Sequence, residues 1–174
     1  MHNASRPIPE SYWVVPDRFL AGEYPGLRDY ERTRQRLEAF LEAGFDTFID
    51  LTTPGEREPY QSFLNEEAAN YEKEIRYQRF PIGDFGLPTH ENMRAILDAI
   101  DASLAEGRKL YLHCQAGVGR TGTAIGCYLV RHGKTGHEAL RQLAEWWQEV
   151  PKSAYYARSP ETDEQGKFIL KWVG

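Results

Sequence analysis

Apolar residues recur at helical spacing in some stretches of the chain and form short runs in others. Leu37, Phe40 and Leu41 fall on one side of a helix predicted over 29–43, which Gly44 ends. The same spacing predicts further helices over 61–73, 89–105, 120–131 and 135–148. Short or alternating apolar runs predict strands over 12–20 (broken at Pro16), 47–51, 75–80 and 109–113.

Three of the helix starts carry capping signals. Thr89 can cap the helix predicted over 89–105. Thr135 and Glu138 have the spacing of a capping box. Ser159 followed by Pro160 is typical of an N-cap with proline at the first helical position, which predicts a last helix over 160–172. Strands that alternate with helices indicate an α/β fold with a central, largely parallel sheet of about five strands flanked by helices.

The length of 174 residues favours a single domain. We expect this domain over 12–174, after a flexible N-terminal tail over 1–11. The longest apolar stretch, 123–130, has only eight residues, so no membrane span is expected. The first residues lack the apolar segment of a secretory signal, which favours a cytoplasmic location.

Acidic residues outnumber basic ones, 26 to 21, which gives a net charge of −5. This balance disfavours a nucleic-acid partner. Any anion must therefore be bound by a small local site and not by the overall charge of the protein. The two cysteines, Cys114 and Cys127, are too few for a disulfide scaffold or a four-cysteine zinc site. The five histidines show no metal-ligand spacing, and no metal is expected.

The segment from Cys114 to Arg120 follows a predicted strand and opens a predicted buried helix. A helix N-terminus offers unpaired amides and the positive end of the helix dipole, both of which stabilise a thiolate. Gly117 and Gly119 let the backbone curl, so that its amides form an anion nest. The planar guanidinium of Arg120 can donate two parallel hydrogen bonds to a bound oxyanion. The phosphate-binding residues predicted here are Gln115, Ala116, Gly117, Val118, Gly119 and Arg120, around Cys114 as the nucleophile.

Hydrolysis of a phosphomonoester also requires a proton for the leaving oxygen. Asp84 is a candidate, because it lies between Gly83 and Gly86 in a loop predicted between a strand and a helix. Glycines beside an aspartate suit a mobile loop, although ordinary turn aspartates have similar neighbours.

The residues 113–121 match the motif H-C-x5-R-[S/T], and the chain resembles the cysteine-dependent protein tyrosine and dual-specificity phosphatases over 18–172. Asp84, Gly86 and Pro88 match the family's acid loop, W-P-D-x-G-x-P. Ile and Gly at 82–83 replace its Trp and Pro, which favours the dual-specificity branch. The resemblance implies a dual-specificity phosphatase fold, a cysteinyl-phosphate intermediate, and no metal or cofactor.

The resemblance also implies supporting roles for several residues. The Thr121 hydroxyl could reach the leaving sulfur, and His113 could order the loop. Gln165 matches the glutamine that positions the hydrolytic water, although Glu161 stands where a first glutamine is common. Glu56 and Arg57 follow a strand that should end at the same crevice, where they either touch substrate or remain solvated turn charges.

Several alternatives remain open at this point. Cys114 could be an inert buried cysteine, and G-x-G-x-x-G over 117–122 also matches a dinucleotide site, although no acidic residue follows at a strand end. Cys127 lies about eight residues into the predicted helix that follows Cys114, which places it about 12 Å along the axis of that helix. This distance is too long for a disulfide with Cys114, so Cys127 is expected to be a packing residue. The substrate is a phosphorylated protein or a small phosphomonoester such as an inositol phosphate. A non-catalytic phosphate binder is less favoured, and a monomer is expected.

Overall fold

The structure is a computed structural model that describes residues 5–174. Five strands form one sheet: β1 (Ser11–Val15), β2 (Phe19–Gly22), β3 (Thr47–Asp50), β4 (Arg76–Arg79) and β5 (Leu110–His113). The strand order is β1-β2-β5-β3-β4, and only the β1–β2 pair is antiparallel. The prediction of a largely parallel sheet is therefore confirmed, and β5 occupies its centre.

Six α-helices flank the sheet within the described residues: α1 (Tyr30–Glu42), α2 (Gln61–Ala69), α3 (His90–Ala105), α4 (Gly119–Arg131), α5 (Gly136–Trp147) and α6 (Asp163–Lys171). A short 3-10 helix, Pro151–Ala154, follows α5 and was not predicted. Helices α1 and α2 pack on one face of the sheet, and α3 to α6 pack on the other. The central strand alternates between the two cores, since Leu110 and Leu112 face one and Tyr111 faces the other.

The predicted caps of α3 and α5 are confirmed. Thr89 caps α3 by accepting from the amide of Asn92, and Thr135 and Glu138 form both bonds of the capping box of α5. These side chains are local to the helix starts, so their roles follow from sequence spacing alone.

The predicted start of the last helix is wrong. Helix α6 begins at Asp163, and its N-cap is Thr162, which forms a capping box with Gln165. The Ser159 hydroxyl instead donates to the carbonyl of Val118 at 2.6 Å. A tertiary contact therefore takes the hydroxyl that the sequence pattern assigned to a helix cap.

The segment expected to be a flexible tail, 1–11, lies partly outside the described residues. Within the described part, Ile8 is 2% exposed and belongs to a core cluster, and Ser11 begins β1. The Ser11 hydroxyl donates to the carbonyl of Ile8 at 2.6 Å. Tertiary packing therefore includes the chain from Ile8 onward.

Candidate active site

The residues between β5 and α4, 114–118, form a tight loop at the carboxyl end of the central strand. Gly117 has φ +79°, and a Cβ on it would lie 2.6 Å from the carbonyl carbon of Gly22. A side chain at this position is excluded both by the left-handed backbone and by the close approach of β2. The amide of Gly117 donates to the Cys114 Sγ at 3.3 Å. The glycine therefore permits the loop to fold its own amides around the thiol.

A cavity of about 190 Å³ opens over this loop. Cys114 lies at its base, 2% exposed, and Arg120 on its wall is also 2% exposed. The cavity brings together residues of the predicted phosphate loop and the predicted acid loop. Its lining includes Cys114, Gln115, Ala116, Gly119 and Arg120 from the first and Asp84 from the second. Gly117 and Val118 belong to the same loop but do not line the cavity, and the Val118 side chain is buried in the core.

Arg120 is fixed by a carboxylate whose role the sequence did not resolve. Its Nη1 and Nη2 donate to the two oxygens of Glu56 at 2.8 and 2.7 Å, and Nη1 also donates to the carbonyl of Ile82 at 2.8 Å. The hydrogen bonds from Arg120 lower the pKa of Glu56. Within residues 5–174, the Nε of Arg120 has no acceptor, so it remains available to an oxyanion.

Asp84 lies opposite, on the loop between β4 and α3, with its side chain 48% exposed. Its Oδ1 accepts from the Arg120 Nη2 at 3.3 Å and from the amide of Phe85 at 3.0 Å. Phe85 has φ +60° and a 60% exposed ring. The carboxyl group is thus placed over the cavity by a solvent-exposed turn.

His113 and Thr121 lie beneath the loop and are fully buried. The His113 Nε2 is 2.6 Å from the hydroxyl of Tyr60, and its Nδ1 is 3.1 Å from the carbonyl of Cys114. Burial lowers the pKa of His113, so the ring is neutral, with Nδ1–H donating to the carbonyl and Nε2 accepting from Tyr60. The Thr121 hydroxyl has no hydrogen-bond partner within 5–174.

Gln165 does not line the cavity but lies against the phosphate loop, since a Cβ on Gly119 would lie 2.9 Å from the Gln165 Nε2. Gln165 is fully buried, and its Oε1 accepts from the amides of Glu161 and Thr162, at 3.1 Å each. Its Nε2 lies 3.4 Å from the carbonyl of Gly86 in the acid loop. Gln165 therefore caps α6 and links it to the acid loop.

Glu161 lines the cavity instead, and the sequence analysis did not propose it as a site residue. Within the described part of the chain its carboxyl group has no hydrogen-bond or ion-pair partner. Burial and the neighbouring Asp84 raise the pKa of Glu161, against the opposing effect of Arg120. The available signal was that Glu161 stands where a first glutamine is common in the family that the sequence resembles.

The other candidates fall outside the cavity. Cys127 is fully buried in the core, where burial raises the pKa of its thiol, in agreement with the expected packing role. Arg57 lies on the wall of an adjoining cavity. In residues 5–174 no cluster of metal-ligating side chains occurs, and no helix there is long and apolar enough to cross a membrane.

The buried cysteine, the loop with Gly117 and Gly119, and the arginine at the carboxyl end of the central strand match the class that the sequence resembles, the cysteine-based phosphatase domains. A family model described as "Polymorphic toxin system, DSP-PTPase phosphatase" matches residues 25–134. The chain belongs to this DSP-PTPase phosphatase family.

One relative is the mouse protein tyrosine phosphatase domain-containing protein 1, 38% identical over 130 residues. The match covers 69% of this chain but 17% of the mouse protein, so the chain spans less than a fifth of that relative's length.

Two solved structures share the fold. Tk-PTP in its active form has a TM-score of 0.70 at 22% identity, over 95% of this chain and 99% of that chain. The core catalytic domain of the S. cerevisiae PP-IP phosphatase SIW14, in complex with citrate, has a TM-score of 0.65 at 15% identity. That alignment covers 94% of this chain and 85% of the other. The predicted dual-specificity phosphatase fold is confirmed.

Proposed function

We propose that this chain hydrolyses phosphomonoesters through a cysteinyl-phosphate intermediate, with phosphotyrosine of proteins as the first candidate substrate and phosphoserine or phosphothreonine as further candidates. The observation that carries the proposal is that Cys114, Arg120 and Asp84 line one cavity of about 190 Å³. A thiol nucleophile, an oxyanion clamp and a proton donor are the groups that this reaction requires.

In the first step, the Cys114 thiolate attacks phosphorus in line, and the bond between phosphorus and the leaving oxygen breaks. Asp84 gives its proton to that oxygen, which leaves as an alcohol or phenol. Arg120 and the amides of 115–119 hold the three equatorial oxygens as charge develops on them. Glu56 supports this step by fixing the plane of the guanidinium.

In the second step, water attacks the cysteinyl-phosphate and the P–S bond breaks. Asp84 takes a proton from the water, and the thiolate is regenerated with the help of the Thr121 hydroxyl, which has no other partner within 5–174. We predicted that Gln165 positions this water. The position of Glu161 on the cavity wall favours Glu161 for contact with it, with Gln165 acting through the acid loop.

A small phosphomonoester such as an inositol phosphate is the second candidate substrate, and the PP-IP phosphatase among the structural neighbours supports testing it. The cavity contains one arginine and two carboxyl groups, Asp84 and Glu161, and lacks lysine. This charge balance favours a monophosphate over a polyphosphate. We further propose a monomer in the reducing cytoplasm, where Cys114 and Cys127 stay free thiols.

The experiment compares phosphotyrosine and phosphothreonine peptides, inositol phosphates and p-nitrophenyl phosphate at matched concentrations, using wild type, Cys114→Ser and Cys127→Ser. We expect Cys114→Ser to abolish hydrolysis of every substrate and Cys127→Ser to retain it. Retained hydrolysis in Cys114→Ser would contradict the proposed nucleophile. A wild type that turns over inositol phosphates but no peptide would reverse the order of the two candidate substrates.

A further inference from the structure

A cleft leads away from the phosphate loop toward the loop that follows β3. It consists of a small cavity of about 190 Å³ and a larger one of about 580 Å³ beyond it. Gln115 lines both of these cavities and the catalytic cavity as well, and Arg57 lines the two outer ones. A substrate bound at Cys114 can therefore extend into this cleft.

Arg57 is held in place on the cleft wall. It is partly buried, its Nη2 donates to the carbonyl of Gly26 at 3.2 Å, and its guanidinium carbon lies 5.1 Å from the centre of the Tyr24 ring. In residues 5–174 no carboxylate lies within ion-pair distance of it. The guanidinium is thus positioned by a neutral carbonyl and an aromatic face, and its charge is left uncompensated.

The charges around Arg57 leave an excess of positive charge in the small cavity. Its charged lining residues are Arg57, Lys152 and Glu23. Glu23 pairs with Lys152 at 2.5 Å and also with Arg36 at 2.8 Å, so two cations share one carboxylate. Glu58 lines only the larger cavity and is exposed. An anion that enters the small cavity can therefore pair with Arg57, because no carboxylate of the described residues already does so.

We propose that Arg57 and Lys152 form a second anion site, which receives the carboxylate of an acidic side chain flanking the phosphotyrosine of a peptide substrate. The inference rests on the proposed function, because the cleft starts at the phosphate loop. One uncompensated guanidinium matches a monoanionic carboxylate, whose two oxygens fit a planar fork.

Binding can be measured without turnover in the Cys114→Ser background. Two phosphotyrosine peptides that differ only in one flanking residue, Glu or Gln, would be titrated by fluorescence anisotropy. We expect about fivefold tighter binding of the Glu peptide, the effect of one partly exposed ion pair. The preference should vanish in Cys114→Ser/Arg57→Gln and persist in Cys114→Ser/Arg94→Gln, which removes an exposed arginine on α3.

Turnover by the otherwise wild-type chain and by Arg57→Gln supplies the second readout. We expect the peptide preference in KM to vanish in Arg57→Gln, while kcat/KM for p-nitrophenyl phosphate stays within about twofold, because that substrate has no flanking anion. If the Cys114→Ser protein, with Arg57 intact, bound the Glu and Gln peptides with equal affinity, the proposal would be overturned. An Arg57→Gln effect seen only with an inositol bisphosphate would also overturn it, and would assign the site to a second phosphate.

Failure of the underlying phosphatase proposal gives a different result. In that case p-nitrophenyl phosphate would not be hydrolysed by the wild type, whatever the anisotropy titrations give. A peptide preference that depends on Arg57 would then still support the anion site. Thermal unfolding of each variant checks that Arg57→Gln folds, and Arg57→Lys should retain part of the preference because it keeps the charge.

Discussion

Replacement of Glu56 by glutamine tests how much the site depends on a fixed guanidinium. Arg120 is 2% exposed and both of its Nη atoms bind the Glu56 carboxylate. A glutamine has the same shape, but its NH₂ group faces one of the guanidinium N–H donors, so one of the two bonds is lost. Arg120 can then rotate out of the plane that the two hydrogen bonds to Glu56 fix.

The size of the effect follows from the bond that is lost. One charge-assisted hydrogen bond contributes about 1.5–3 kcal/mol, so kcat/KM for p-nitrophenyl phosphate should fall by about 10- to 100-fold if the loss is felt in the transition state. The Glu56 side chain is 13% exposed, and we expect the free energy of unfolding to fall by about 1–2 kcal/mol.

The assay measures initial rates and urea unfolding for wild type, Glu56→Gln and a matched control, Glu66→Gln. Glu66 also pairs with an arginine, Arg34, at 2.7 Å, but its side chain is 60% exposed. We expect the control to change activity by less than about twofold. A Glu56→Gln enzyme with wild-type kcat/KM and a normal fold would refute the inference that Glu56 positions Arg120.

The pH dependence gives an independent check on the same pair. Because Arg120 lowers the pKa of Glu56 from its ordinary value of 4.5, the pair stabilises the fold above that value. This stabilisation is lost as the pH falls through the lowered pKa. The difference in unfolding free energy between wild type and Glu56→Gln should therefore be constant near neutral pH and shrink in acid.

Three further predictions concern other parts of the site. Asp84→Asn should slow hydrolysis of alkyl phosphates far more than of p-nitrophenyl phosphate, because a good leaving group needs little protonation; equal slowing across leaving groups would exclude Asp84 as the acid. Glu161→Gln should raise kcat/KM about fivefold at neutral pH by removing a carboxylate beside the phosphate dianion. That gain should disappear as the pH falls through the raised pKa of Glu161, where the wild-type group is neutral, and a pH-independent gain would contradict the charge argument. Gly117→Ala should destabilise the chain by about 1–3 kcal/mol or more and abolish activity. Gly107→Ala is the control, because Gly107 has the same φ of +79° but open space around it, so this variant should lose only the free energy of the backbone strain. Equal unfolding free energies for the two variants would show that the contact with Gly22 is unimportant.

Much of the fold could be predicted because its signals are local. The period of apolar residues marks α1, α3 and α5 to within about two residues, and the capping box at Thr135 lies within one helical turn. The start of α6 was missed because Ser159 and Thr162 are both acceptable caps by sequence. Which of the two caps the helix depends on a hydrogen bond from the Ser159 hydroxyl to the carbonyl of Val118, a residue distant in the chain.

The sequence by itself determined the candidate nucleophile, the glycine-containing loop and the candidate phosphate-binding arginine, because they belong to one continuous segment between a strand and a helix. It also placed Asp84 in a loop that topology brings to the same edge of the sheet. Only the tertiary structure decided which residues from separate loops complete the site: Glu56 on Arg120, Glu161 on the cavity wall, and Arg57 in the cleft beside it. Glu56 is 64 residues from Arg120. Ser159, which binds the segment of Glu161 to the phosphate loop, is 41 residues from its partner Val118. Such contacts depend on how strands β3 and β5 pair and how α6 docks, and a carboxylate in a turn carries no local signal of which cation it will meet.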